Sequence, residues 1–125
     1  MMSEKNQKKI LVVDDDPVLV KMLDVRLKEN GYDVYATIEA AEGLQMAMEN
    51  NPDLIVLDVM MPIINGYNFC RLLKSEEKQK EIPIIFLTSR SEKEDMEIGR
   101  EMGAEAYLTK PLNMEDLLQK IRELT

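Results

Sequence analysis

Ile10-Leu11-Val12-Val13-Asp14-Asp15-Asp16-Pro17 places a strand, a cluster of acids and a helix start in one short run. The apolar residues do not alternate with polar ones, as expected for a strand covered on both faces. Asp16 followed by Pro17 is a capping residue and then the proline that suits a first helical turn. A doubly covered strand that turns at once into a helix points to an α/β architecture with a parallel sheet.

Outward from there the pattern recurs. Further apolar runs lie at Val34 to Thr37, Leu54 to Leu57, Ile84 to Leu87 and Ala106 to Thr109. The helical segments between them have apolar spacing. The first presents Leu19, Met22, Leu23 and Leu27 and stops near Asn30-Gly31, where glycine tolerates the left-handed conformation that ends helices. The second, about Glu39 to Glu49, presents Ala40, Leu44, Ala47 and Met48; the third, Gly66 to Lys74, turns Phe69, Leu72 and Leu73 inward. The last carries Met114, Leu117, Leu118, Ile121 and Leu124. A fourth segment, roughly 91–101, has few sizeable apolar residues among many charges, which predicts weak anchoring and mobility. Strand alternating with helix in this way predicts a doubly wound α/β sandwich. In such sheets ligands bind beyond the carboxyl ends of the strands, where the winding direction switches.

Composition narrows the function. At 125 residues, with 45% hydrophobic and 32% charged residues, the chain suits one globular domain over residues 9–125, preceded by a polar, flexible leader at 1–8. The formal net charge of −8 argues against direct binding of nucleic acid or anionic lipid. No apolar run is long enough to cross a membrane, and the single cysteine, Cys70, has no disulfide partner, so a cytoplasmic location is expected. The absence of histidine excludes Ser-His-Asp and Cys-His catalysis and histidine metal sites.

The chemistry-bearing residues collect at the strands' carboxyl ends. The first strand delivers Asp14, Asp15 and Asp16, the third Asp58, the fourth Thr88 and Ser89, and the fifth leads into Lys110-Pro111. Taken singly, each has a bland explanation: aspartates after strands cap helices, threonine is common in strands, and lysine is usually solvated. Their shared address favours a site. Crowded carboxylates repel one another and call for a cation, and an all-oxygen donor set suits Mg²⁺. A carboxylate beside Mg²⁺ can attack a phosphoryl group, with an ammonium and a hydroxyl balancing its oxygens.

These motifs, together with Leu57-Asp58-Val59-Met60-Met61-Pro62, Asn65-Gly66 and Tyr107-Leu108-Thr109-Lys110-Pro111, resemble the response-regulator receiver domains of two-component signalling, the CheY-like family, over Lys9 to Thr125. The resemblance implies a flavodoxin-like fold with five parallel strands in the order 2-1-3-4-5. It implies Asp58 as phosphoacceptor, Mg²⁺ held by Asp14, Asp15, Asp58 and the Met60 carbonyl, with Mn²⁺ able to substitute, and Thr88, Ser89, Lys110 and Tyr107 as the phosphate-binding and switch residues. Lys110-Pro111 is expected to be cis. The implied partners are a histidine kinase or phosphotransfer protein as donor and a downstream protein or fused output domain as target. Switching is expected on the face made by the fourth helix, fifth strand and last helix. Met60 and Arg90 resemble the choice in many transcriptional regulators, which implies a persistent phosphoryl group. Phosphorylation-dependent homodimers in the family use that same face; Asp116 and Lys120 sit suitably for one, whereas Ala106 stands where an acid is usual.

Two other readings remain at this level. Asp14-x-Asp16 with Thr88 and Lys110 imitates a haloacid-dehalogenase-like phosphatase, although few acids follow Lys110. A receiver-like module that binds partners without phosphorylation is the other. A receiver is not an enzyme for free metabolites: it catalyses only its own phosphorylation and slow loss of the group.

Overall fold

In the computed structural model the described residues are 7–61, 64–89 and 103–125. The helix expected over 91–101, with its weak anchoring, lies outside them, as do Pro62, Arg90 and the first part of the leader.

Five strands, β1 (Lys9–Val13), β2 (Asp33–Thr37), β3 (Leu54–Asp58), β4 (Ile84–Thr88) and β5 (Ala106–Thr109), form one parallel sheet in the order β2-β1-β3-β4-β5. The described helices are α1 (Pro17–Glu29), α2 (Ala40–Asn50), α3 (Gly66–Lys74) and α4 (Met114–Leu124). This is the doubly wound flavodoxin-like fold. The central strands β3 and β4 are buried at every position, and β1 at all but its first; the edge strands β2 and β5 are partly exposed. That difference is why the central runs read as continuous apolar sequence.

Successive strand residues face opposite ways, so the sheet has two cores. Ile10, Val12, Leu54, Val56, Ile85 and Leu87 pack with α1 and α4. Leu11, Val13, Ile55, Leu57, Ile84 and Phe86 pack with α2 and α3. Each large side chain withdrawn from water contributes about 1.5–3 kcal/mol before entropy is counted.

The helix boundaries follow local chemistry. Asp16 caps α1, its Oδ1 accepting from the Val18 and Leu19 N–H groups at 3.0 and 3.4 Å. Gly31, at φ 90, and Asn51, at φ 47, adopt left-handed conformations just beyond α1 and α2. Asn65 caps α3 and Asn113 caps α4.

Two helix faces differ from the expectation. Met22 and Leu72 are 38% and 45% exposed, and the buried residues are Val20, Leu23 and Leu27 on α1 and Gly66, Phe69, Cys70 and Leu73 on α3. The latter four follow i, i+3, i+4, i+7 spacing; Leu72 falls outside that stripe, which hydrophobicity alone does not reveal. Leu73→Ala should therefore cost about 2–5 kcal/mol. Leu72→Ala should stay within about 0.5 kcal/mol in the same urea titration.

Candidate phosphoacceptor site

The order β2-β1-β3 means the chain leaves β1 toward one edge and returns to build β3 on the other side. The switch point opens between the carboxyl ends of β1 and β3. Asp14 follows β1 and Asp58 ends β3.

Carboxylate oxygens of Asp14, Asp15 and Asp58 lie within 4.8 Å of one another, with Asp14 and Asp58 buried and Asp15 exposed. The turn after β1 sets their directions. Asp14 N–H donates to the Thr37 carbonyl at 3.3 Å, and Asp14 Oδ1 accepts from the Asp16 N–H at 2.9 Å. Asp14 Oδ2 is paired with the Lys110 ammonium, 2.9 Å away. Lys110 Nζ is 3.8 Å from Asp58 Oδ1, so one cation faces two buried acids but sits on Asp14.

Asp58 is 4% exposed, and its Oδ1 accepts from the Met60 N–H at 3.3 Å. Burial first, and then the neighbouring Asp14 charge, push its carboxyl up to about 7, against the opposing effects of Lys110 and the Met60 N–H. For Lys110, burial would lower the pKa; the hydrogen bond and charge of Asp14, together with Asp58 and Asp15, outweigh it and hold the ammonium above its ordinary value.

Asp58 has a folded pKa near 7 against 3.8 for the free side chain. Between those values the folded chain binds more protons than the unfolded one, so stability falls as pH rises through this window and levels off above it. The loss is on the order of a few kcal/mol. Urea titrations from pH 4 to 8 in chelator should show the decline, and millimolar Mg²⁺ should reverse it at pH 8.

The remaining residues sit nearby. Thr88 is fully buried and follows Leu87, the cross-strand partner of Asp58. Ser89 is exposed, the Lys110 N–H donates to the Thr88 carbonyl at 2.6 Å, and the Lys110-Pro111 bond is cis. Met60 is 54% exposed at the mouth of the site. Tyr107 lies on β5. Its ring meets Phe86 edge-on at 6.1 Å, and its buried hydroxyl has no hydrogen-bond partner among the described residues. Asp16, which reads only as a cap, also orients Asp14 through its backbone N–H; the Asp-x-Asp spacing was the available signal for this turn.

Comparison with known proteins supplies the family: residues 10–122 match the response regulator receiver domain family. The chain belongs to that family. The receiver is 36% identical over 116 residues to the DNA-binding dual master transcriptional regulator RpaA of Synechocystis, covering 93% of this chain and 48% of that protein. It is 41% identical over 121 residues to the probable transcriptional regulator ycf27 of Cyanophora paradoxa, covering 97% and 49%. With the alkaline phosphatase synthesis transcriptional regulatory protein PhoP of Bacillus subtilis it shares 38% over 117 residues, covering 94% and 48%. This receiver thus spans about half the length of these relatives. Among solved structures, the Vibrio cholerae chemotaxis protein CheY4 superposes with a TM-score of 0.90 at 31% identity, covering 95% of this chain and 99% of that one. A CheY-like receiver domain protein from Methanospirillum hungatei gives 0.86 at 30% identity, covering 94% and 93%.

The donor set suits a hard divalent cation. Carboxylates within 4.8 Å offer oxygen only, and one ammonium faces the two buried acids. Cys70 is buried, and that burial pushes its thiol up to about 11. Among the described residues no helix is long and apolar enough to cross a membrane.

Proposed function

We propose that Asp58 accepts a phosphoryl group from the phosphohistidine of a histidine kinase or phosphotransfer protein. The supporting observation is the buried Asp58 carboxyl held near 7 beside Asp14, Asp15 and Lys110. In the step, an Asp58 carboxylate oxygen forms a bond to phosphorus while the donor's N–P bond breaks. The electron pair leaves on the imidazole, which takes a proton from water.

Asp14, Asp15, Asp58 and the Met60 carbonyl are the groups that would hold Mg²⁺, or Mn²⁺ in its place. Such an ion supplies charge neutralisation at the phosphoryl oxygens. Lys110, already beside Asp58, balances a further phosphoryl oxygen. Thr88 contributes its hydroxyl, small and exposed Ser89 leaves the approach open, and Tyr107 repositions as Thr88 engages the phosphate. Phosphorylation then acts as a population shift read on the face that includes β5 and α4. There a groove of about 230 Å³ is lined in part by Tyr107, Thr109, Pro111, Leu112 and Asp116.

The domain, residues 9–125, is a signalling switch and not an enzyme for free metabolites. Its target is a downstream protein or an output domain in the same protein; the naming of relatives as transcriptional regulators supports the latter. DNA contact then belongs outside this acidic domain, which works in the cytoplasm and can pair with a second copy when phosphorylated.

Incubation with phosphoramidate and Mg²⁺ should attach one phosphoryl group, as a hydroxylamine-sensitive acyl phosphate on Asp58, and chelator should abolish the labelling. Label on another residue, or labelling indifferent to chelator, would overturn the reading.

A further inference from the structure

Gly66 opens α3 against the end of β3 at a distance only a bare backbone permits. Its N–H donates to the Val59 carbonyl at 2.8 Å. A Cβ at this position would lie 2.6 Å from the Asp58 carbonyl oxygen and 2.8 Å from Val59 Cα. Both are main-chain atoms, with no side-chain rotation open to them as an escape. Gly66 does not have the left-handed φ of Gly31 and Gly103; the requirement here is close approach. Gly43 differs, since a Cβ there would meet the side chain of Val13.

The turn beneath Gly66 is held from several sides. Val59 N–H donates to the Leu87 carbonyl at 3.0 Å, and Met60 N–H donates to Asp58 Oδ1 at 3.3 Å. The Asn65 cap, accepting from the Asn68 N–H at 2.9 Å, fixes the first turn of α3 above it.

We propose that Gly66 is a positioning residue for Asp58: its missing side chain lets the start of α3 rest directly on the Asp58–Met60 turn, which aims the Asp58 carboxylate and the Met60 carbonyl. The proposal rests on the reading of these two groups as cation ligands. A methyl group at Gly66 must lift the turn, and Mg²⁺ tolerates displaced ligands poorly.

The test compares Gly66→Ala with Leu73→Ala, a buried residue farther along the same helix, in the full chain. Both variants should lose stability. Gly66→Ala alone should weaken Mg²⁺ binding by roughly tenfold or more, slow phosphoramidate labelling in parallel, and shift the Val59 and Met60 amide resonances of the metal-free protein. Native Mg²⁺ affinity with unmoved resonances in folded Gly66→Ala overturns the proposal, as does equal weakening in Leu73→Ala. If Gly66→Ala does not fold, Asn65→Ala decides. It keeps the glycine but frees the helix start, and should weaken Mg²⁺ binding by about threefold; unchanged affinity overturns the proposal. If the native chain binds no Mg²⁺, the reading of the site fails, and the metal-free resonances still decide the role of Gly66.

Discussion

Asp58→Asn should yield a domain that takes no phosphoryl group from phosphoramidate and is nevertheless more stable than the native chain when both are unfolded in chelator at pH 8. The amide keeps the shape of the carboxylate and can still accept the Met60 N–H, now 3.3 Å from Oδ1. It carries no charge, so the burial cost and the repulsion by Asp14 that raise the native carboxyl both vanish. The expected gain is about 1–3 kcal/mol. The size of this gain should change with conditions. Near pH 4 the native carboxyl is protonated in the folded chain and the advantage disappears. With saturating Mg²⁺ it narrows again, because ligand binding stabilises only the chain that keeps its donor set. A less stable Asp58→Asn at pH 8 in chelator would show that the raised carboxyl is not a source of native instability.

Lys110→Met should have the opposite effect on stability. The ammonium is the ion-pair partner of fully buried Asp14 and also faces Asp58. Removing it leaves two acids in a poorly solvated cleft with no other ion-pair partner among the described residues. The expected cost is roughly 2–3 kcal/mol at pH 8, below the usual value for a fully buried pair because Lys110 itself reaches solvent. Lowering the pH through 7 should restore part of the loss as Asp58 takes up a proton. Divalent affinity should rise by about threefold to tenfold, since the ammonium no longer competes for Asp14. Labelling should nevertheless fall by about 100-fold, because a phosphoryl oxygen loses its fixed positive partner. Isothermal titration with Mg²⁺ and a labelling time course on the same preparation separate these effects. Unchanged metal affinity would mean that Lys110 does not compete for the cation.

Much of this was legible in the sequence, for identifiable reasons. Ile10–Val13, Leu54–Leu57 and Ile84–Leu87 lack alternation because helices cover both faces of β1, β3 and β4, so those strands declare themselves. The edge that bears the site follows from the strand-end positions of Asp14, Asp58, Thr88 and Lys110. The rotational phase of the helices was less legible. Leu72 and Met22 are as apolar as their buried neighbours, and only packing against the sheet shows that they face outward. Nor could spacing say that Lys110 pairs with Asp14 more closely than with Asp58, since the difference is set by distances across three strands. The close approach of Gly66 to the Asp58 backbone is likewise a contact in space.

The amino edge of the sheet is built on other lines. There the Lys9 N–H donates to Asp53 at 2.7 Å, Gln79 bridges Met48 and Asn51, and Lys74 reaches the Ile82 carbonyl at 2.8 Å while Glu105 accepts from the Ile84 N–H at 2.8 Å. These are neutralised or fully answered polar contacts, whereas the carboxyl edge holds like charges together. The molecule therefore has a durable end and a reactive end. Substitutions that accumulate at the first should alter how long the protein survives in the cell, and those at the second should alter the signal it carries as well as its stability.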